Sequence, residues 1–185
     1  MPHPGDDIMD RLRGDDQNGL RDLFDAYYRQ LVRYSMKLVI NQAVAEELVQ
    51  DVFIRIWENR HTIRLTGSIK AYLYAAVKNR SLNHLKSKYN RMVFVDLDAA
   101  ETASTSRPAE DDVILGELRE AINRAVHSLP PRCRIIFNLS RNAGMSAEEI
   151  ARHLGISRKT VHAQIAIALG KIKIILKDRW DNIPS

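Results

Sequence analysis

The sequence predicts an all-α protein: two small helical domains joined by an acidic flexible linker, the second containing a helix-turn-helix. Three observations carry that prediction. Apolar residues recur at three- and four-residue spacing over most of the 185 residues, the period of helices with one buried face. Glycine is sparse, at 8 residues, and alternating strand patterns are nearly absent. Between two such helical stretches lies an acidic segment with few large apolar groups, the composition of a chain that buries too little to fold.

The first domain is placed at 8–91, with three helical patterns. Over 20–38, Leu23, Phe24, Tyr27, Tyr28, Leu31 and Tyr34 follow i, i+3, i+4 spacing. A second helix, 43–58, has Ala45, Leu48, Val49, Val52, Phe53, Ile56 and Trp57 on its apolar side and Glu46, Glu47, Gln50, Asp51 and Arg55 on the other. A third, 68–88, is read with Ala71, Tyr72, Ala75, Ala76, Leu82 and Leu85 inward. A polar loop, 59–67, joins the last two and includes Arg60, His61, Arg64 and Thr66.

Charge is unevenly spread. Between 55 and 91 stand Arg55, Arg60, Arg64, Lys70, Lys78, Arg80, Lys86, Lys88 and Arg91, opposed in that stretch by Glu58 alone. The linker, 92–111, reverses the sign: Asp96, Asp98, Glu101, Glu110 and Asp111, with Asp112 at its edge, face only Arg107.

The second domain is placed at 112–180 and reads as four helices. Over 113–127, Leu115, Leu118, Ile122 and Val126 form an amphipathic stripe. Leu129-Pro130-Pro131 breaks it and starts the next helix, 132–142, since proline is well tolerated at a first helical position. The stretch 146–172 then carries the strongest local signal. Ser146 with Glu149 three residues on forms a capping-box pattern. Ile150, Ala151 and Leu154 share a face, and Gly155 supplies the freedom for a sharp turn. Ser157 caps a second helix whose apolar stripe is read as Val161, Ile165, Ala168 and Leu169. Arg158, Lys159, Thr160 and His162 crowd its exposed start, where a recognition helix meets base edges in the major groove.

A net charge of +5 favours a polyanionic partner. Cys133 is the single cysteine, so no intrachain disulfide forms, which suits a reducing cytoplasm. The acidic start has no apolar core of a signal peptide, and no run reaches transmembrane length, so no direct membrane insertion is expected. His3, His61, His84, His127, His153 and His162 fall in no metal-ligand spacing, and phosphate-binding glycine loops are absent. The expectation is a non-enzymatic protein with no metal and no cofactor.

Three stretches together resemble one family. Glu46-Glu47-Leu48-Val49-Gln50-Asp51-Val52-Phe53-Ile54-Arg55-Ile56-Trp57 is similar to the polymerase-binding helix of bacterial sigma factors. The stretch 71–85, from Ala71-Tyr72-Leu73 to Asn83-His84-Leu85, resembles their promoter-melting helix. Leu129-Pro130, Glu149-Ile150-Ala151, Leu154-Gly155-Ile156-Ser157 and Thr160-Val161 resemble their C-terminal domain. Two domains and one linker resemble the extracytoplasmic-function (ECF) group, and the lysine-rich tail the members common in Bacteroidetes. The likeness covers about 20–178.

The resemblance implies a specificity subunit that brings core RNA polymerase to promoter DNA and helps open it. It implies polymerase docking through Glu47, Gln50, Asp51 and Arg55. It implies that the 59–67 loop, with Arg64 and Thr66, pockets a base flipped from the −10 element, that the helix bearing Lys78, Asn79, Arg80, Asn83 and Lys86 grips the displaced strand, and that Lys70 also meets −10 DNA. Arg158, Lys159, Thr160, His162 and Lys171 are left for the −35 element. The linker would lie in the polymerase's basic RNA path. An anti-sigma factor, the cytoplasmic segment of an inner-membrane signalling protein, is the implied control, and the cytoplasm the implied location. On the residues alone, each charged face also reads as an ordinary solvated surface, and the linker as a tether. The recognition helix departs from the family in carrying Ala163, Gln164, Ala166 and Ala168 where arginines are frequent, which suggests weak −35 binding in isolation. The alternative is a stand-alone helix-turn-helix regulator.

Overall fold

The computed structural model describes residues 4–65, 67–94 and 113–180, and every regular element among them is an α-helix. They are α1 (Pro4–Arg13), α2 (Gln17–Val39), α3 (Gln42–Glu58), α4 (Ile69–Phe94), α5 (Val113–His127), α6 (Pro131–Arg141), α7 (Ala147–Leu154) and α8 (Arg158–Trp180). Among the described residues no helix is long and apolar enough to cross a membrane. The chain divides into two compact units, Met1–His84 and Leu85–Ser185, the division falling inside α4.

The core of the first unit is built by α1, α2, α3 and the first part of α4: Met9, Leu12, Leu23, Leu31, Val49, Phe53, Ile56, Ile69, Leu73 and Val77 are all buried in one cluster. Phe24 stacks on Tyr28 with centroids 4.3 Å apart and meets Phe53 at 5.0 Å, which fills the α2–α3 seam. A polar contact crosses this interior. The hydroxyls of Ser35 on α2 and Ser81 on α4, both fully buried, lie 3.1 Å apart.

The structure corrects three points of the sequence reading in this unit. The domain has four helices here, because α1 precedes the three expected, and its Met9 and Leu12 are core residues. The dense Gly5-Asp6-Asp7 start hides that helix in the sequence. The inward face of α4 in this unit is Ile69, Leu73, Val77 and Ser81, at i, i+4 spacing, while Ala71 and Ala75 are exposed; Leu85 and Tyr89, beyond the division, are buried at the same spacing. Alanine is a strong helix former that tolerates solvent, so alanines do not mark a buried face. Helix α4 also runs past 91 to Phe94. The remainder of the expected linker, 95–111, lies outside the described residues, as does Thr66.

In the second unit α5, α6 and α7 pack on α8. Ile135, Ile136, Leu139, Ile150, Leu154, Val161 and Ala168 are buried. Pro131 stands at the start of α6 as expected. Cys133 is buried, and its thiol donates to the Gln164 carbonyl at 3.3 Å. Burial pushes that thiol's pKa up, with nearby Lys171 pulling the other way. The α8 stripe differs from expectation at one residue: Leu169 is 42% exposed. The buried positions are Val161, Ala168 and Ile172, and Leu169 lies at the solvent-facing flank of that row.

Candidate functional site

Helix α3 starts at Asn41, whose side chain accepts from the Val44 N–H at 3.0 Å. Its core side is Ala45, Leu48, Val49, Val52, Phe53 and Ile56. The opposite side leaves Glu47, Gln50 and Arg55 exposed. Asp51 is different. It is half-buried and ion-paired with Arg80 of α4, so it is no free surface carboxylate. The sequence reading missed Ile54, which is 55% exposed on the same face. Its signal was available: it stands four residues after Gln50 and seven after Glu47, where an amphipathic helix should be polar.

The loop after α3 turns back on itself through Thr62 and Ile63 N–H groups bonding the Asn59 carbonyl at 2.9 and 3.0 Å. Ile63 and Leu65 pack on the core, and Arg64 between them is exposed. Ser68 then caps α4 by accepting from the Ala71 N–H at 3.2 Å. On α4, Asn79, Asn83 and Lys86 are exposed at i, i+4, i+7 and so share one face. Lys78 is half-buried at the edge of that face. Lys70 is exposed in the first turn, separate from the group. Arg80 points the other way, to Asp51, and its buried Nε has no hydrogen-bond partner.

The helix-turn-helix is capped as the sequence predicts. The Glu149 N–H donates to Ser146 Oγ at 3.2 Å, and the Glu149 carboxylate accepts from the Ser146 N–H at 2.8 Å. Gly155 takes φ +71° and closes α7. Ser157 Oγ accepts from the Thr160 N–H at 3.0 Å, and the two hydroxyls share a bond of 2.8 Å. Thr160 is therefore partly committed to the cap. Arg158, Lys159 and His162 are exposed beside it. Lys171 is not brought to this group: at roughly 1.5 Å per residue it lies about 16 Å along α8 from Thr160. Arg152, exposed in the last turn of α7 next to the corner, is a basic group the sequence reading passed over. The first helix of such a motif crosses the DNA backbone, and that was its signal.

Comparison with known proteins follows the same division. Residues 23–91 match sigma-70 region 2, and residues 119–172 match sigma-70 region 4. The chain is 28% identical over 160 residues to the ECF RNA polymerase sigma factor SigL of Mycobacterium tuberculosis, covering 86% of this chain and 89% of that protein. It is 26% identical over 167 residues to the ECF RNA polymerase sigma-E factor of Escherichia coli, covering 85% of this chain and 86% of that one. Among solved structures, the sigma factor RpoE in complex with the anti-sigma factor NepR from Bartonella quintana aligns with a TM-score of 0.47 and 18% identity, covering 85% of this chain and 96% of that chain. Regions 2 and 4 thus occur in order on one chain, aligned along most of the length of ECF relatives, and this chain belongs to the sigma-70 family as an ECF sigma factor.

Proposed function

We propose that this sigma factor directs core RNA polymerase to promoters through two surfaces of unlike chemistry and helps open the DNA between them. The observation that carries the reading is the pairing, on one chain, of a region 2 unit with a basic, asparagine-bearing helix face and a region 4 helix-turn-helix whose recognition helix begins with free cations.

In this reading Glu47, Gln50 and Arg55, with Ile54 among them, form the polymerase-docking face of α3. Asp51 contributes at its edge. The 59–67 loop, with Arg64 and Thr66, receives a flipped −10 base, since an unstacked base needs a pocket to offset lost stacking. Asn79, Asn83 and Lys86, flanked by Lys78, hold the displaced strand, and Lys70 and Arg80 support it from the margins. Arg158, Lys159 and His162 reach the −35 element, Thr160 chiefly as part of the cap and Lys171 as a distant charge. The protein works without a cofactor and catalyses nothing itself; bond-making belongs to the polymerase. It acts in the cytoplasm, held by an anti-sigma factor of an inner-membrane signalling protein. The lysine-bearing tail, Lys171, Lys173 and Lys177, supports the Bacteroidetes-type placement. A stand-alone regulator has no use for the region 2 unit, which makes up the N-terminal half of the chain.

The test is run-off transcription by purified core polymerase on a genomic promoter pool. Discrete transcripts that require the protein support this reading. DNA binding without co-purification of polymerase and without transcripts overturns it in favour of the stand-alone regulator.

A further inference from the structure

The α1–α2 turn makes an unusual use of an aspartate. The Asp16 N–H bonds the Arg11 carbonyl at 3.0 Å and the Asp15 N–H bonds the Leu12 carbonyl at 3.0 Å. That is the paired pattern of a Schellman cap, with Asp15 at the left-handed position. Its φ is +59°. Glycine takes that conformation at least cost, and Gly14 stands one residue too early to fill it. The chain keeps a side chain where the backbone would favour none.

The side chain reaches across to the loop that follows α3. Asp15 Oδ1 accepts from Arg60 at 2.6 Å, and His61 Nε2 lies 3.4 Å from the same oxygen. Arg60 is fully engaged. It donates to the Trp57 carbonyl at 2.6 Å, its guanidinium carbon lies 4.3 Å from the Trp57 ring centroid, and its side chain is only 18% exposed. A second tether runs in parallel, from Arg13 to the Ile63 carbonyl at 3.1 Å. Helix α1 is itself seated in the core through Met9 and Leu12. It is therefore a rigid base for both tethers. Residues 4–15 also lie before the start of the region 2 match at 23.

We propose that Asp15 is a positioning residue for −10 recognition: through Arg60 and His61 it holds the 59–65 segment in the geometry that receives the flipped base. This rests on the reading that the loop contacts the −10 element. Arg60 is spent on Asp15 and Trp57, so it acts on DNA through the loop and not by touching the strand. The sign of the effect separates positioning from plain electrostatics. Removing an acidic group near DNA should raise affinity for every sequence alike. Removing a positioning residue should instead lower discrimination at the base the loop reads.

The experiment selects promoters from a pool randomised across the −10 element, using the full chain with core polymerase. Asp15→Asn keeps the size of the side chain and tolerates the left-handed backbone, so it removes the charge and leaves the turn. The expected result is a preference lowered about three- to tenfold at one −10 position, the scale of one lost surface charge contact or slightly more. Competition for core polymerase and the thermal midpoint should match the wild type. Arg60→Lys, which keeps the charge facing Asp15, should retain more of the preference than Arg60→Ala. A wild-type profile for Asp15→Asn, where Arg64→Ala alters −10 preference, overturns the clamp. A uniform gain in affinity overturns it as well and leaves Asp15 a mere repulsive charge. If neither Asp15→Asn nor Arg64→Ala changes any −10 preference, the loop's role fails and the clamp falls with it.

Discussion

Asp51 of α3 and Arg80 of α4 are ion-paired with each other, so a residue expected to face polymerase and one expected to face DNA are each partly occupied inside the protein. Both side chains are about one-third exposed, at 37% and 33%. The pair therefore ties α3 to α4.

Asp51→Arg should weaken competition for core polymerase and also destabilise the first unit. It puts two cations together beside the buried Arg80 Nε. The stability cost should be on the order of 1 kcal/mol, the upper end for an exposed pair. The charge swap, Asp51→Arg with Arg80→Asp, should restore the melting temperature. If it also restores polymerase binding, Asp51 acts on docking only through Arg80.

Asn79→Ala with Asn83→Ala should impair promoter opening more than closed-complex formation. Arg80→Lys, which preserves the pair with Asp51, should impair it less. Permanganate reactivity of −10 thymines reads the difference. Normal reactivity in the asparagine double variant would remove this face of α4 from strand capture.

The region 4 surface is tested by alanine replacement of Arg158, Lys159 and His162 against a randomised −35 library. A base reader relaxes preference at one position, by about 1–3 kcal/mol for a bidentate contact. A phosphate contact weakens all sequences alike. Arg152→Ala should behave as a phosphate contact. Thr160→Ala should lower stability of the second unit along with binding, because its hydroxyl shares the cap with Ser157.

These residues show how far the sequence carries. The capping box at Ser146, the corner at Gly155 and the Pro131 helix start were all legible, because each is local chemistry between residues a few positions apart. So were the seven helices from α2 onward. The partnership of Asp51 with Arg80 was not, since it joins residues 29 apart and depends on how α3 meets α4. The face of α4 was misjudged for a related reason: alanines fit either side, and only packing decides. Helix α1 was missed because the Gly5-Asp6-Asp7 start masked its pattern, whereas Ile54 was legible as an apolar residue in a polar row and was overlooked.

The Ser35–Ser81 contact is best tested as a cycle. Ser81→Ala strands a buried hydroxyl and should cost on the order of 1 kcal/mol. The double variant should cost less than the sum of the singles, since two alanines leave no polar group unpaired. Additive costs in thermal melts would mean that each hydroxyl is satisfied elsewhere.

His127, at the end of α5, predicts a pH response in the second unit. Burial, then the charge of Arg134, holds its pKa below the ordinary 6.5. The folded state thus favours neutral imidazole. Its contribution is present above the unfolded value and is lost as pH falls from there through the folded value. Stability should decline from pH 7 to pH 5, and His127→Gln should flatten that decline in melts of the full chain.

Cys133 has a practical consequence. A buried thiol with a raised pKa presents little thiolate at neutral pH, and thiolate is the form that reacts with maleimides. With no second cysteine in the chain, a dye-bearing cysteine can be introduced without first deleting the native one. Gly170, where an added Cβ meets nothing within 4 Å, offers a labelling position on the second unit. The wild-type background is thus already suited to fluorescence measurements of how this sigma factor moves during promoter opening.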